Sequence, residues 1–566
     1  MASVTPTPTQ DPQPAPGGAL NNRQVFRAAL VVLLGFLASG VLGFVRTLVL
    51  SAQFGAGEAL DAFYAAQRIP EIIFVLVAGG ALGSSFIPVF ARQREASAEE
   101  GWKLASAVMT LSAGAAIALS TLVILIAPLL VEVALLPGKS PEAQALTTDL
   151  MRWMMVTPVI FSISGLVMGI LQSHGLFLLP SLAISMNSLG IIFGALVLAP
   201  LLAPEPNSAF AMIAADVGYP FRVLPIEQVG NASVYGLAYG AILSAVLHLL
   251  VQLPGLISIG AKLRFLPNWR IEGVLEVLRL MGPRVLGLAV VQLNFVVNII
   301  LTSGMIAGSL AALNTAFNLM FFALGIIGQS VGAAVFPTLS ALYAKGDLDG
   351  YKDRLANAMR SVLFLAYPAT VAFIVLGEPI VSIFERGEWT PTATQATAWA
   401  LSFYAIGIAG FALLEVLSRA FYALADTWTP VLVGIGAMVS NIGLSLIFVQ
   451  FIGDPDSLAR GSFAGLALAN ALTTLVESLL LWWLLHRRIG GIEDRRVLVG
   501  SAKAIAAALV MGVILWILPQ LVPLRGLPLA LLGAVVGGAV FFGVSIGLGL
   551  PEAQAVPMMI LRRVRR

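Results

Sequence analysis

The sequence predicts an all-α polytopic membrane protein with about 14 transmembrane helices, arranged as two pseudo-symmetric six-helix lobes plus two C-terminal helices. Three observations predict this fold class: the composition, the number of long apolar runs and an internal repeat. Of the 566 residues, 58% are hydrophobic and only 11% are charged, and the mean hydropathy is +0.94. Soluble domains contain about 25% charged residues, so the composition excludes a soluble globular protein.

Apolar runs of about 20 residues or more, bounded by polar or turn-forming residues, define the predicted helices. The chain contains 55 Gly and 31 Pro. Both are common in transmembrane helices, where neighbouring helices satisfy freed backbone groups, so we expect close-packed and locally broken helices. The predicted helices are 26–51, 60–91, 104–136, 146–172, 178–203, 233–257, 274–303, 308–342, 355–384, 395–424, 428–452, 460–486, 498–522 and 527–550.

Polar segments flank the helices at both ends of the chain. Residues 1–22 are rich in Pro, Thr and Gln and predict a disordered cytoplasmic tail. The first apolar run is too long for a cleavable signal peptide. Residues 551–566 end in four arginines and predict a basic cytoplasmic tail. Directly after a membrane span, such a tail favours anionic lipid headgroups as partners over nucleic acid.

The distribution of basic residues predicts the orientation. With the N-terminus in the cytoplasm, about 19 Lys and Arg residues fall in cytoplasmic tails and loops and about five in the opposite loops. Cytoplasmic loops carry the excess of Lys and Arg, so this bias predicts that both termini are cytoplasmic.

The chain repeats weakly at a spacing of roughly 250 residues. Gly83 and Pro88 recur as Gly332 and Pro337 with the same five-residue step, and Pro180 recurs as Pro430. The repeat predicts an N-lobe over 23–258 and a C-lobe over 259–488, parallel in topology, with a cavity between them. The last two helices, 489–550, lie outside the repeat.

Charged residues interrupt the apolar sequence of the first two helices. A charged side chain at membrane depth costs free energy and is tolerated chiefly when it faces a bundle interior or a water-filled cavity. The charged residues here are Arg46, Asp61 and Arg68. They are our first candidates for a substrate path. The alternative is that Arg46 and Asp61 lie near the outer ends of two successive spans and pair or snorkel there.

Several motifs resemble the MurJ/MviN family, the lipid II flippases of the multidrug/oligosaccharidyl-lipid/polysaccharide exporter superfamily. The resemblance covers nearly the whole chain and implies carriage of an undecaprenyl-diphosphate-linked peptidoglycan precursor between leaflets by alternating access, with a lipid-tail groove on the last two helices. Cell-wall synthesis enzymes are further implied partners, and the implied compartment is the bacterial inner membrane. The motifs are LGFVR (42–46), FGAG (54–57), DAF (61–63), FIPVF (86–90), MGP (281–283), FPTLS (336–340), FERGEWT (384–390) and RAFYALADTWTP (419–430).

The resemblance also implies site residues. Arg46 matches a cavity arginine of the family, Asp61 matches its acidic residue at the outer end of helix 2, and Arg68 stands where the family often has a basic residue. Arginine provides a fixed charge and forked donors for a diphosphate.

This sequence departs from the family at other cavity positions. In an ungapped alignment the family's other cavity arginines fall at Gly40, Phe74 and Asn318, and its helix 2 glutamate falls at Gly79. Two readings follow. In one, Arg68, Arg284 and polar side chains take over part of the charge and hydrogen bonding; in the other, the cargo is less anionic than lipid II. Those polar side chains are Asn294, Asn298, Asn314, Asn318 and Gln329, although an amide in a membrane bundle more often joins helices than binds a ligand.

We expect the headgroup to enter from the cytoplasmic side, Arg46 to bind its diphosphate, and a contact between Arg46 and Asp61 to help close the periplasmic side. Five glycines are candidate bending points for gating, although they can also serve close helix packing. These are Gly55, Gly57, Gly79, Gly80 and Gly83.

The sequence predicts no metal site and no cofactor. The chain has no Cys and only three His, which are far apart and form no HExxH motif. Gly138, Lys139 and Ser140 look like part of a phosphate loop, but Val133 stands where that motif needs its first glycine. We therefore expect a gradient or a potential to drive transport, rather than ATP.

Polar residues in the second half have structural explanations. Glu415 and Arg419 are four residues apart and predict an ion pair, and Asp426 predicts a cap or turn before helix 11. Asn441 and Ser445 could line an ion site, but no carboxylate accompanies them. Glu477 is isolated in apolar sequence and is a candidate for proton coupling.

Three further functions were weighed against lipid II transport. A flippase for another lipid-linked oligosaccharide remains open. A small-molecule antiporter of the same superfamily would have 12 spans and a buried carboxylate. A membrane-embedded enzyme acting on polyprenyl lipids would need clustered acidic residues or a His/Asp pair, which the sequence lacks.

Overall fold

The computed structural model describes residues 22–77, 81–202 and 226–554, and within these ranges the chain forms helices and no strand. Of the two predicted tails, residues 1–21 and 555–566 lie outside the described residues. In chain order the helices are α1 Asn22–Phe54, α2 Glu58–Val77, α3 Ala81–Ala96, α4 Ala98–Leu129, α5 Pro141–Met154, α6 Thr157–Ser173, α7 Leu178–Phe193, α8 Ile226–Leu250, α9 Leu253–Ser258, α10 Val274–Ser303, α11 Ser309–Leu324, α12 Ser330–Ala344, α13 Leu348–Val375, α14 Gly377–Val381, α15 Pro391–Ile406, α16 Ile408–Ala423, α17 Trp428–Phe451, α18 Ala464–Ile489, α19 Asp494–Leu521 and α20 Gly526–Gly547. Further π-helical turns continue α4, α7 and α11 at Leu130–Leu135, Gly194–Leu198 and Gly325–Gln329.

The all-helical membrane fold is confirmed, whereas the number of spans is not. Each of the 14 predicted segments contains helix. In the described part of the chain, 10 helices are long and apolar enough to cross a membrane, or up to 11 if α15 and α16 form one span. The apolar stretches Ala38–Phe54 and Gln292–Ser303 are shorter. The count of about 14 spans therefore stays a prediction.

The predicted helix 395–424 is bent rather than continuous. α15 and α16 meet at an angle of 48°, with Gly407 at the bend. A Cβ atom added at Gly407 would lie 2.7 Å from the Cα atom of Ala471. The bend therefore coincides with a close approach of α18, which glycine permits.

In the first half of the chain, small residues bring α7 and α8 together. A Cβ atom added at Gly194 would lie 2.4 Å from the carbonyl oxygen of Gly236 and 2.6 Å from the Cα atom of Gly240. A Cβ atom at Gly190 would lie 2.4 Å from the Cα atom of Ser244. Small residues let membrane helices approach closely and gain packing contacts. α7 also packs along α1, so this contact supports the helix that carries Arg46.

The second half has its own buried core, built by α11, α13, α15, α16 and α18. Tyr351 and Tyr404 are among its largest fully or nearly fully buried side chains. The Tyr351 hydroxyl donates to the carbonyl oxygen of Ala420 at 2.8 Å, because a buried phenol needs a hydrogen-bond partner. This bond ties α13 to α16.

The turn between α16 and α17 has the cap that the sequence predicts. The Thr429 N–H donates to Asp426 Oδ1 at 3.0 Å, and its hydroxyl donates to Oδ2 at 2.7 Å. Arg488 also forms an ion pair with Asp426. Burial alone would raise the pKa of Asp426, but the Thr429 hydrogen bonds and the Arg488 charge hold it below its usual value.

The last two helices pack on the second half through α13. Arg360 on α13 forms an ion pair with Glu552, which follows α20, with an Nη2–Oε1 distance of 2.8 Å. The Arg360 side chain is 9% exposed and that of Glu552 16%. A Cβ atom at Gly500 of α19 would lie 3.1 Å from Arg360 Nε, so glycine makes room for the guanidinium.

Helix α10 contacts both halves of the chain. It packs against α2 and α3 on one side and against α17 on the other. Near its start, Arg92 of α3 forms an ion pair with Glu276, and Gln93 Nε2 donates to the carbonyl oxygen of Glu272 at 2.6 Å. The start of α10 is therefore attached to α3 of the first half.

Candidate functional site

Asp61 joins the two halves of the chain. Its carboxylate accepts hydrogen bonds from the N–H groups of Gly308 at 2.8 Å and Ala311 at 2.7 Å, and the residue is only 5% exposed. These donors lie at the start of α11, where the first N–H groups of a helix lack intrahelical partners. A negative charge at a helix N-terminus is favourable. Asp61 therefore caps α11 from the other half of the molecule.

The loop after α4 adds to the same junction. Lys139 Nζ donates to the carbonyl oxygen of Met305 at 2.9 Å, and the Gly138 N–H donates to Ser303 Oγ at 3.4 Å. Lys139 also lies within electrostatic range of Asp61. We call Asp61, Gly138, Lys139 and the segment 303–311 the Asp61 contact. It joins α2 and the loop after α4 to the turn between α10 and α11.

Gly55 lies at a second close approach between the halves. Its φ is +61°, a left-handed conformation that favours glycine. A Cβ atom there would lie 2.5 Å from the carbonyl oxygen of Glu388, whose N–H donates to the Ala52 carbonyl at 2.9 Å. A Cβ atom at Gly57 would meet nothing within 4 Å.

The remaining predicted bending points fall where the description is incomplete. Gly79 and Gly80 lie outside the described residues, and only the backbone of Gly83 is described, within α3. Bending at the five glycines stays a prediction.

Arg46 is half-buried on α1. The expected contact with Asp61 is absent: both residues are described, and the Asp61 carboxylate is held by main-chain N–H groups instead. Both charges lie within electrostatic range of Tyr64 on α2. Among the described residues Arg46 forms no ion pair with a carboxylate.

Arg68 lies in a narrow cleft between α2, α10, α11 and α15. Its guanidinium is 4.4 Å from the centre of the Phe295 ring, and Nη1 lies 3.0 Å from Glu71 Oε2 and 3.5 Å from Gln292 Oε1. Asp61 and Arg68 are seven residues apart on α2 and share one face. We call this space the Arg68 cleft; its lining residues are Arg68, Phe295, Asn298, Ile299, Leu310, Leu313, Asn314, Phe317 and Tyr404.

The Arg68 cleft contains polar groups that lack partners. Asn298 is 8% exposed, and its Oδ1 atom has no hydrogen-bond partner among the described residues. Arg68 Nε also has none. Buried polar groups are costly unless they are hydrogen-bonded. The cleft can therefore offer both a donor and an acceptor to a polar ligand, beside aromatic side chains.

Comparison with known proteins identifies the family. The sequence model described as "Lipid II flippase MurJ" matches residues 50–536. The chain belongs to the MurJ family.

Relatives extend the match over most of the chain. The "Lipid II flippase MurJ" of Burkholderia cenocepacia is 30% identical, with 82% of this chain and 84% of the relative covered. The "Probable lipid II flippase MurJ" of Vibrio cholerae is 29% identical, with 88% and 89% covered.

Solved structures show the same fold. A structure of "Lipid II flippase MurJ, inward closed conformation" matches with a TM-score of 0.72 at 22% identity, covering 91% of this chain and 98% of the other. An inward-facing multidrug resistance transporter of the MATE family matches with a TM-score of 0.62 at 15% identity, covering 82% and 99%.

Two of the three positions at which we expected MurJ-family arginines, Gly40 and Phe74, lie beside aromatic rings here. The Phe322 ring is 4.0 Å from a Cβ atom added at Gly40, and Phe44, one turn along α1, stacks on Phe322 at 5.4 Å. Phe74 packs against Phe161 at 5.1 Å. Asn318 lies half-buried on α11. The Arg284 side chain lies outside the described residues, and only its backbone within α10 is described.

Residues of the second half form separate polar contacts. Glu415 and Arg419 form the predicted ion pair. Asn441 Nδ2 donates to Thr473 Oγ1 at 3.3 Å, and Ser445 Oγ donates to Asn441 Oδ1 at 3.5 Å. Within the described ranges, no group of three or more His, Cys, Asp or Glu residues could hold a metal ion.

Sequence reasoning missed two parts of the site. The sequence presents Lys139 only as part of a segment that looks like a phosphate loop, and it does not indicate the N-terminus of α11 as a partner for Asp61. Gly308 gave a weak signal, since a glycine between two apolar runs can mark a helix start. Its φ is +89°, and a Cβ atom there would lie 2.4 Å from the carbonyl oxygen of Ala56.

Proposed function

We propose that this protein is a flippase that carries lipid II, the undecaprenyl-diphosphate-linked peptidoglycan precursor, from the inner to the outer leaflet of the bacterial inner membrane. The match of the MurJ family over residues 50–536 carries the proposal. The relatives named as lipid II flippases support it, because each is matched over most of its own length. A transporter rather than a catalytic enzyme follows from the same family.

We propose the domain and membrane arrangement that the sequence predicts as the structural basis of this function. The N-lobe is 23–258, the C-lobe 259–488, and 489–550 forms a groove for the lipid tail, with both termini cytoplasmic. A buried core made only of second-half residues supports the C-lobe. The two cores built mainly from the first half support the N-lobe, although they also take in residues of α10 and α11. A further core of α13, α19 and α20 supports the third unit. Cell-wall synthesis enzymes are proposed partners.

We propose that Arg46 binds the cargo diphosphate and that the Arg68 cleft contacts neighbouring parts of the headgroup. Arg46 has no carboxylate partner among the described residues, so its charge is available to an anion. Arg68 is already neutralised by Glu71 and stacks on Phe295. Its surroundings suit hydrogen bonding to a polar, less charged group. Asn318 and Arg284 remain proposed contacts.

The Asp61 contact is proposed as the periplasmic gate. Its hydrogen bonds join α2 to α11 and the loop at Lys139 to Met305. Opening the periplasmic side would require all these hydrogen bonds to break. Binding of the headgroup would stabilise closure of the cytoplasmic side. Gly55 and Gly57, next to this contact, are proposed gating positions with Gly79, Gly80 and Gly83.

Complementation tests the function. A strain depleted of its own lipid II flippase is supplied with this chain, with Arg46→Ala, or with Arg46→Lys as a charge-preserving control, at matched membrane levels. Growth is expected with the wild-type chain, to be lost in Arg46→Ala and partly kept in Arg46→Lys.

A transport assay with the purified protein shows whether a failure to complement comes from the host strain or from the wrong substrate. Proteoliposomes that hold the chain and fluorescent lipid II report flipping without a host. An inactive wild-type chain in both assays would overturn the lipid II assignment and favour another lipid-linked oligosaccharide, with Gly40, Phe74 and Asn318 as the positions responsible. Full activity of Arg46→Ala would overturn its role.

A further inference from the structure

The segment 259–273, between α9 and α10, is held on the side of α4; we call it the interlobe segment. The Arg264 N–H donates to Ser106 Oγ and the Leu266 N–H donates to Thr110 Oγ1, both at 3.0 Å. Residues 261–268 form neither a helix nor a turn. The two side-chain acceptors on α4 therefore fix an extended piece of chain against the outside of the first half.

The two sides of the interlobe segment differ in chemistry. Ala261 and Leu263 pack against the core of the first half, beside α4. Lys262 and Arg264 alternate with them and are exposed, as expected for an extended chain. Phe265 is 83% exposed and Trp269 is 65% exposed. The outward side is thus both cationic and aromatic.

The attachment points place the segment at the membrane surface. Lys103, paired with Glu99 and Glu100, is the last charged residue near the start of α4. Ser106 and Thr110 follow it by three and seven residues, which corresponds to about 5 and 10 Å of helix rise. Trp is enriched at this depth, between headgroups and acyl chains, because its ring is amphipathic.

The positive charges of the segment are available to a partner. Among the described residues no ion pair joins Lys262, Arg264 or Arg270 to a carboxylate, whereas the nearby Glu276 is paired with Arg92. The segment contains one acidic residue, Glu272, against these three basic ones. An anionic surface complements this charge.

We propose that the interlobe segment binds anionic phospholipid headgroups. Lys262, Arg264 and Arg270 contact the lipid phosphates, and Phe265 and Trp269 insert between headgroups. The site is distinct from the Arg68 cleft and holds bilayer lipid, not transported cargo. The assignment of this site to the cytoplasmic leaflet depends on the proposed orientation of the chain, whereas the rest of the proposal does not.

A local quenching experiment tests the site. The chain has no native cysteine, so Asn268→Cys carries a single fluorophore on the segment. The full-length protein is placed in nanodiscs of phosphatidylcholine with a small fraction of brominated phosphatidylglycerol or brominated phosphatidylcholine. We expect the brominated anionic lipid to quench at least about fivefold more efficiently per molecule.

Two variants localise the effect. Neutralising Lys262, Arg264 and Arg270 to Gln should abolish the preference while leaving quenching by phosphatidylcholine unchanged, which also shows that the segment keeps its depth. The matched control replaces Lys345, in the α12–α13 connection, and Lys352 and Arg354, in the first turns of α13, with Gln. It should keep the preference. All carry exposed or half-exposed side chains.

Equal quenching by the two brominated lipids would overturn the proposal, as would a preference that survives in the Lys262/Arg264/Arg270 variant. A fluorophore at Asp349→Cys reports general enrichment of anionic lipid around the protein, and a preference as strong there as at residue 268 would also contradict a specific site. Because the experiment measures quenching and not transport, its outcome does not depend on whether the protein carries lipid II.

Discussion

At the scale of single residues, Asp61 shows what the sequence could and could not predict. A carboxylate beside an apolar run is visible in the sequence, which predicts for Asp61 a place in the substrate path and a contact with Arg46. Its hydrogen-bond partners were not predicted, because the donors are the main-chain N–H groups of Gly308 and Ala311. Every residue except proline carries such a donor, so side-chain patterns do not reveal it.

Replacing Asp61 with Asn should weaken closure at the Asp61 contact. Asn offers one acceptor oxygen to two N–H donors and removes the charge that favours the N-terminus of α11, a loss of about 1 kcal/mol. The open population should then rise about fivefold. Labelling of Asn314→Cys, in the Arg68 cleft, by an impermeant maleimide added to intact cells would measure it.

Glu58→Gln provides the control for that experiment, since Glu58 is an exposed acid one turn before Asp61 on the same helix. Its carboxylate accepts a hydrogen bond from the Ser140 hydroxyl at 3.4 Å, which the side-chain oxygen of Gln can still accept. It should leave the labelling rate unchanged. Equal labelling rates in Asp61→Asn and the parent would show that the carboxylate does not hold the two halves together.

At the scale of helices, the apolar runs predicted the positions of helical segments well. They did not predict the break between α5 and α6 or the bend at Gly407. Apolar periodicity continues through both places, and the bend depends on how closely α18 approaches. Such approaches are set by residues distant in sequence, which a single sequence does not pair.

The contact between α7 and α8 gives a sharp prediction. Gly194→Ala places a methyl group 2.4 Å from a carbonyl oxygen of α8, so the helices must separate, at a cost of about 1–3 kcal/mol. The melting temperature in detergent should fall. Gly114→Ala on α4, where a Cβ atom meets nothing within 4 Å, should leave it unchanged or raise it slightly through helix propensity. The same melting temperature in both variants would refute the packing argument.

At the scale of the whole molecule, the weak repeat and the family motifs predict two lobes and two additional C-terminal helices, and this division stays a prediction. The attachment of those helices was not predicted, because Arg360 and Glu552 are nearly 200 positions apart and neither belongs to a motif. Their ion pair holds the end of α20 against α13.

Removing one partner of this ion pair should lower the stability of the folded protein. Glu552→Met leaves the nearly buried Arg360 charge without its partner, and we expect a loss of about 2 kcal/mol, less than for a fully buried pair. The Arg360→Met/Glu552→Met variant should recover most of it, since an apolar pair replaces the ionic one. Melting followed by tryptophan fluorescence measures both. If the double variant is as unstable as the single one, the loss of stability does not come from leaving the Arg360 charge unpaired.

The attachment of Leu266 to Thr110 also sets a tether length for the movement between the halves. Seven residues, 267–273, remain between that attachment and the start of α10. A fully extended chain spans about 3.4 Å per residue, so the tether reaches about 24 Å. If both attachments broke, the 15 residues from 259 to 273 would reach about 50 Å. The hydroxyl groups of Ser106 and Thr110 thus limit how far the start of α10 can travel from α4 during a transport cycle.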